Sequence, residues 1–353
     1  MEKTRKAFLK YFFLSPLSIA WESVYFIRRA FYDYGFIHQK SFRVPIISVG
    51  NLSFGGTGKT PFTLWLAEYL QKQNKKVMIV MRGYKGKLEN DSGIIYAGKK
   101  INPDPVEYGD EALIYARRLE GSAIVVGKNR SANLNFYFPK FLPDVVLLDD
   151  GHQHLQLKRK LNIILFDALM SLDKYQVAPL GYLREGFSGL KDADLVVIGR
   201  ADQVSREKIK QLKSLILNTL PYGVTIAEVG FKPKGFLNSS YDYLFNVEGI
   251  KNKKVICVAG LASPQSFYKM IEEMGANVIS TETFSDHHYY TKNELESLLS
   301  KAKENQAYLV TTEKDMVRIK KVMNDERIIF LQVDLVFFSG EEEAKKIIDQ
   351  CVK

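Results

Sequence analysis

Ile46-Ile47-Ser48-Val49-Gly50-Asn51-Leu52-Ser53-Phe54-Gly55-Gly56-Thr57-Gly58-Lys59-Thr60-Pro61 decides how the rest of this chain is read. Apolar, mostly β-branched residues run into a glycine-rich turn, and an amphipathic segment, Phe62 to Gln71, follows. The order is strand, loop, helix. In such a loop the glycines turn backbone N–H groups toward phosphate oxygens, the helix start adds partial positive charge, and the lysine reaches the terminal phosphates. Ser53, Phe54, Gly55, Gly56, Thr57, Gly58, Lys59 and Thr60 are therefore the candidate nucleotide-binding residues, with the Thr60 hydroxyl a candidate Mg²⁺ ligand. The usual pattern has glycine where this chain has Ser53. An ordinary glycine-rich turn is the bland alternative, and the strand-to-helix context weighs against it. Pro61 fits a first helical turn, where its missing N–H has no intrahelical partner.

Working outward, the chain has 353 residues, a length that favours two domains. Its apolar and charged fractions are those of a folded protein. Cys257 and Cys351 lie far apart and make neither a disulfide framework nor a zinc spacing. The formal charge is +10, and residues 1–45 hold eight basic side chains against three acidic ones. Charge concentrated in an aromatic-rich N-terminus favours an anionic membrane surface over nucleic acid. Leu17, Ala20, Trp21, Val24, Ile27 and Phe31 fall on one helical face, with Glu22, Arg29 and Asp33 opposite. The longest uncharged run, Tyr11 to Trp21, is about half of what a bilayer span needs, and Pro16 interrupts it. The segment is expected to lie in the interface. A helix packed wholly on the protein's own core is the competing reading, and a secretory signal is set aside because ATP is absent outside the cytoplasm.

Downstream, strand and helix patterns alternate. Strands are expected at Val77–Met81, Ala123–Val126, Val145–Leu148, Leu161–Phe166 and Leu195–Ile198, with a small hairpin arm near Gly93–Ala97. This implies a parallel sheet covered on both faces. Loops after the strands carry Arg82, Tyr84 and Arg130, where an open α/β sheet meets its ligands. Pro143-Asp144-Val145-Val146-Leu147-Leu148-Asp149-Asp150-Gly151 has the form of a buried strand ending in Mg²⁺-binding carboxylate, with Asp149 and Asp150 both open as the ligand. Gln153 and His154 follow; the imidazoles here are read as hydrogen-bonding groups rather than metal ligands. Asp110 and Glu111 open a helix, where carboxylates also suit the helix dipole. Turn residues from Pro221 to Gly249 place a linker at 223–250, with Val224–Val229 a short linking strand. A second βα alternation follows, in which Thr291 and Glu294 have capping-box spacing. The expected organisation is 1–36 membrane-associating segment, 37–222 phosphate-loop domain, 223–250 linker and 251–353 smaller α/β domain.

Taken in order, Gly50-Asn51-x-Ser53-x-Gly55-Gly56-Thr57-Gly58-Lys59-Thr60-Pro61, Arg82-Gly83-Tyr84, Gly109-Asp110-Glu111, Asp149-Asp150-Gly151-x-Gln153-His154, Leu183-Arg184-Glu185, Phe284-x-Asp286-His287-His288 and Thr311-Thr312-Glu313-Lys314-Asp315 resemble the tetraacyldisaccharide 4′-kinase family over nearly the whole chain. The resemblance implies ATP-dependent, Mg²⁺-assisted phosphorylation of the 4′-hydroxyl of an acylated disaccharide 1-phosphate at the cytoplasmic face of a bacterial inner membrane. It implies no nucleic acid and no protein partner. It also implies that Asp110 and His287 are a catalytic pair, and that Asn51, Arg82, Tyr84, Glu111, Arg130, Gln153, His154, Arg184, Glu185 and Asp286 bind or support substrate. His152 and Tyr182 depart from the family's usual aromatic and proline. A sugar hydroxyl needs a positioned base, which a carboxylate oriented by histidine supplies. Two other classes stay open on sequence alone: a membrane-associated ATPase, against which Phe54 counts because such loops often carry lysine there, and a soluble small-molecule kinase.

Overall fold

The computed structural model describes residues 2–98 and 103–353, with side chains from residue 11 onward. Lys3, Arg5, Lys6, Phe8 and Lys10, whose charges and ring entered the reading of the N-terminus, lie outside the described side chains. The strands are β1 (Ile46–Asn51), β2 (Val77–Met81), β3 (Gly93–Tyr96), β4 (Ala123–Val126), β5 (Val145–Asp149), β6 (Leu161–Asp167), β7 (Leu195–Gly199), β8 (Thr225–Asn238), β9 (Tyr243–Phe245), β10 (Lys254–Ala259), β11 (Asn277–Thr283), β12 (Tyr308–Thr312) and β13 (Ile328–Ser339). The helices are α1 (Glu2–Asp33), α2 (Lys59–Lys72), α3 (Pro105–Tyr108), α4 (Asp110–Arg118), α5 (Arg130–Phe141), α6 (Arg206–Leu217), α7 (Gln265–Glu273), α8 (Lys292–Glu304), α9 (Glu313–Val322) and α10 (Glu341–Val352).

All these strands join one sheet, in the order β11-β10-β12-β13-β8-β7-β6-β1-β5-β2-β4-β3, with β9 beside β8. From β7 to β4 every pairing is parallel, and β1 lies between β5 and β6. The strands are apolar on both faces, as a sheet covered on both sides requires. Ile47, Val49, Leu147 and Val197 face α2 and α4, while Met78, Val146 and Leu148 face α5, and Ile164 and Val196 face α6. β3 is an edge strand antiparallel to β4 rather than a separate hairpin arm.

The stretch read as a linker differs most from its sequence expectation. Residues 225–238 form a fourteen-residue strand, parallel to β7 at its start and antiparallel to β13 along its length. One sheet therefore runs through both halves. Gly230, Pro233 and Gly235 read as turn signals, yet Pro233 sits where the register with β13 shifts between Gln332 and Val333. A bulge is one of the few interior places a strand tolerates a residue with no N–H. Pro16, expected to interrupt the N-terminal segment, lies within the continuous α1. It is exposed there.

Candidate functional site

The glycine-rich loop connects β1 to α2 at the carboxyl end of the parallel strands. Gly55 and Gly58 have φ of +94° and +84°, a region in which a side chain is strained. Ser53 has no positive φ, which is why glycine is dispensable there. It is buried instead in an antiparallel bridge with Leu183, and its Oγ accepts from Asn51 Nδ2 at 3.2 Å. Helix α2 starts at Lys59 with no side-chain cap, leaving first-turn N–H groups facing the loop. Lys59 Nζ donates to Asn51 Oδ1 at 3.1 Å and lies 3.3 Å from Asp150 Oδ1.

Asp149 and Asp150 occupy the end of β5 and the turn after it, and their surroundings drive them apart. Burial, then Glu111 and Asp150, push Asp149 up to about 7 against the pull of Lys59. Burial would also raise Asp150, but Lys59, Arg184 and Arg130 together hold it well below the usual carboxylate range. Arg184 Nη1 donates to Asp150 Oδ2 at 3.0 Å, Arg130 Nη1 donates to the Asp150 carbonyl at 2.7 Å, and Tyr115 OH donates to Asp149 Oδ2 at 2.9 Å. Asp149 Oδ1 and Thr57 Oγ1 are buried with no hydrogen-bond partner among the described residues. Among those residues no three His, Cys, Asp or Glu side chains gather tightly enough to hold a metal ion unaided. Two carboxylates and a hydroxyl fit Mg²⁺, which typically keeps phosphate and water as its remaining ligands.

A second cluster joins the two halves. His287, on the loop between β11 and α8, brings Nδ1 to 3.1 Å from Asp110 Oδ2. Its Nε2 is 3.2 Å from Lys314 Nζ. An ammonium has only protons to give, so Nε2 accepts and Nδ1 carries the hydrogen donated to Asp110. Arg318 Nε lies 3.3 Å from the same Asp110 oxygen, and the Tyr84 ring meets His287 edge-on with centroids 5.5 Å apart. Asp286 pairs with Lys314 at 3.0 Å and stands farther from His287 than Asp110 does, at 3.8 Å. Helix α4 links the clusters, since Asp110 begins it and Tyr115, five residues on, reaches Asp149.

The other expected residues divide. Gln153 Nε2 donates to the Asn51 carbonyl at 3.0 Å, and Arg82 pairs with Glu89 at 2.6 Å. Glu185 is buried and pairs with Arg29 rather than opening toward a ligand. Burial, with Arg130, Arg28 and Arg159, pushes His154 down to about 3, so its imidazole is neutral. Sequence reasoning missed Arg318, Lys314, Tyr115 and Arg200, whose Nη2 donates to the Gly56 carbonyl at 2.8 Å. Lys314 stands within a quoted motif, but nothing local marks the other three, because their partners are distant in sequence.

With this geometry in view, the similar proteins are informative. A family model described as tetraacyldisaccharide-1-P 4′-kinase matches residues 10–353. The tetraacyldisaccharide 4′-kinase of Halothermothrix orenii is 34% identical over 320 residues, 88% of this chain and 83% of that protein. That of Bdellovibrio bacteriovorus is 31% identical over 320 residues, 90% of this chain and 92% of its own. The crystal structure of LpxK from Aquifex aeolicus in complex with ATP superposes with a TM-score of 0.77 at 29% identity, covering 96% of this chain and 98% of that one. Matches of this extent define a kinase with a mixed α/β fold. The chain belongs to the tetraacyldisaccharide-1-P 4′-kinase family.

Proposed function

We propose that this protein transfers the γ-phosphoryl group of ATP to the 4′-hydroxyl of an acylated disaccharide 1-phosphate, a lipid A precursor. The observation that carries the reading is the match of the family over residues 10–353. The 3.1 Å contact of His287 with Asp110 supplies a base where that reaction needs one. Asp110 accepts the hydroxyl proton as attack develops, and the Nδ1–H of His287 holds the carboxylate oriented. The loop from Ser53 to Gly58, the α2 N-terminus and Lys59 receive the phosphates. Thr60, Asp149 and Asp150 would hold Mg²⁺, which when bound neutralises charge on the outer phosphates. Arg82, Tyr84, Arg130, Gln153, His154, Arg184 and Asp286 line or brace the place where the acceptor sugar sits.

The chain works as a peripheral protein on the cytoplasmic face of the inner membrane, where both ATP and the lipid are available. Among the described residues no helix is long and apolar enough to cross a membrane. Helix α1 instead presents Phe13, Val24 and Phe26 outward at 64–66% exposure. The deciding experiment incubates the purified protein with labelled ATP and a tetraacyldisaccharide 1-phosphate. Label on the lipid, lost in Asp110→Ala, is expected; phosphate released to water with none on the lipid would overturn the reading in favour of an ATPase.

A further inference from the structure

Helix α1 turns its polar stripe toward the protein. Ser18 and Arg29 are each only 5% exposed, and Glu22 and Tyr25 between them are partly buried, while apolar neighbours face away. A buried guanidinium needs an explanation, because desolvating it is unfavourable unless its donors are all satisfied. Arg29 satisfies them with a spread of partners. Its Nε and Nη2 fork onto the two Glu185 oxygens, Nη1 donates to Asp192 Oδ2 at 2.9 Å, and Nη2 also lies 2.8 Å from His152 Nε2. Burial and the neighbouring Arg29 and Arg159 hold His152 well below its ordinary value, so that nitrogen is an acceptor.

Several partners of α1 belong to one irregular segment, residues 177–185. Ser18 Oγ donates to the Val177 carbonyl at 3.0 Å and accepts from Leu180 N at 3.2 Å. Trp21 Nε1 donates to the Arg184 carbonyl at 2.9 Å. The other edge of the same segment grips the glycine-rich loop: Phe54 N donates to Tyr182 O at 2.8 Å, Arg184 N donates to Leu52 O at 2.6 Å, and Ser53 bridges Leu183. The Arg184 side chain continues to Asp150 and lies over the Phe54 ring, 5.4 Å from its centroid. A parallel route runs from Arg28 Nη1 to Gln153 O, from Gln153 Nε2 to Asn51 O, and from Asn51 Oδ1 to Lys59.

We propose that Arg29 is a positioning residue for nucleotide binding: it pins α1 to the 177–185 segment, and that segment holds the glycine-rich loop and Asp150 in the arrangement that receives phosphate. The physical reason is that the loop's own glycines cannot hold it. Gly55 and Gly58 adopt left-handed φ that only glycine tolerates readily, so order comes from contacts outside the loop: Arg200 on the Gly56 carbonyl and the bridged edge at Ser53 and Phe54. That edge is itself irregular backbone, tied by hydrogen bonds to residues 174–178 on one side and to α1 through Val177, Leu180, Arg184 and Glu185 on the other. The helix that faces the membrane is thereby a structural part of the phosphate site. The proposal rests on the function above only in taking this loop as the nucleotide's seat.

The test compares full-length Arg29→Met, Arg29→Lys and Trp21→Phe with wild type, and Ser23→Ala as a control on the exposed side of α1. Two readouts need neither lipid nor phosphoryl transfer: amide exchange of residues 52–58 without nucleotide, and the dissociation constant of a non-hydrolysable ATP analogue with Mg²⁺. Arg29→Met should speed exchange in 52–58 and weaken nucleotide binding by about tenfold or more, the usual penalty for losing a group that orients a ligand-binding side chain. Arg29→Lys keeps the charge without the fork and should fall between the two. Trp21→Phe should move both readouts in the same direction, and Ser23→Ala should move neither. If Arg29→Met does not fold, Arg29→Lys and Trp21→Phe decide. Wild-type exchange and affinity in the folded Arg29 and Trp21 variants would overturn the proposal. A wild-type protein that fails to label lipid would sink the proposed reaction and leave this one standing.

Discussion

Lys314 donates to His287 Nε2, and this decides which ring nitrogen carries the hydrogen that faces Asp110. With Nε2 accepting from the ammonium, His287 presents its only N–H to the carboxylate, and in the proposed reaction it therefore orients Asp110 rather than competing as the base. Removing the carboxylate and removing its orienting group should therefore have different effects. Asp110→Asn is expected to lower kcat by about 10²–10⁴ with the ATP dissociation constant unchanged, the range for a lost general base. His287→Asn should lower kcat by less, and an equal or greater loss would make His287 the base instead. Ser53 invites the opposite experiment. Its backbone needs no glycine, so Ser53→Gly should gain no activity and lose about 0.5–1 kcal/mol of stability through added chain freedom, read as a lower Tm. A rise in activity would show that the departure from the usual pattern constrains the loop.

Helix α1 was legible as a helix because its apolar residues repeat with helical period, and Leu17, Trp21, Val24, Ile27 and Phe31 are exposed in the structure. What the polar stripe seats against was not legible. Hydrophobic patterning assigns the apolar face to a core, and here the polar stripe is the seated one, because Arg29 has partners at Glu185, 156 residues away. No local signal carries such a pairing. The reversed orientation argues against a helix packed on its own core by its apolar face, and it makes a separable prediction. Phe26→Glu, at 64% exposure, should weaken flotation with anionic vesicles and leave the unfolding free energy within about 0.5 kcal/mol of wild type, as exposed substitutions do. Unchanged flotation would remove that face from membrane contact. The long strand β8 was illegible for a related reason. Its glycines and proline read locally as turns, whereas its strand character comes from β7 and β13, a register no window of sequence contains. The strand, turn and helix start of residues 46–61, by contrast, were readable because they are contiguous.

One sheet through both halves means the halves meet across packed elements rather than through a flexible hinge segment alone. The last helix, α10, makes the point: Ala344, Ile348 and Cys351 lie in the same core cluster as Val49, Phe62 and Leu66 from the first half. The junction also holds a compact charge cluster. Arg118 of α4 reaches Glu68 of α2 at 3.1 Å, Glu313 of α9 at 3.6 Å and Asp334 of β13 at 2.9 Å. Glu313 stands at the start of α9, one residue before Lys314, so this cluster helps set where Lys314 meets His287 and Arg318 meets Asp110. Burial raises Glu313 above its ordinary value, with Arg118 opposing and Asp334 and Glu68 adding to the rise. A carboxyl group raised in the folded state contributes stability below its unfolded value of about 4.3, and that contribution is lost as pH rises through the folded value. Glu313→Gln cannot ionise and so escapes the loss, while its forfeited pairing with Arg118 grows only as the wild-type group ionises. Where burial outweighs the pairing, as the raised value requires, Tm of the variant minus Tm of wild type must increase as pH is taken from below 4.3 to neutrality. Melting curves across that window give the answer directly. A difference that stays flat or shrinks would mean that Arg118 wins over burial, and that the junction is held by its ion pairs rather than in spite of them.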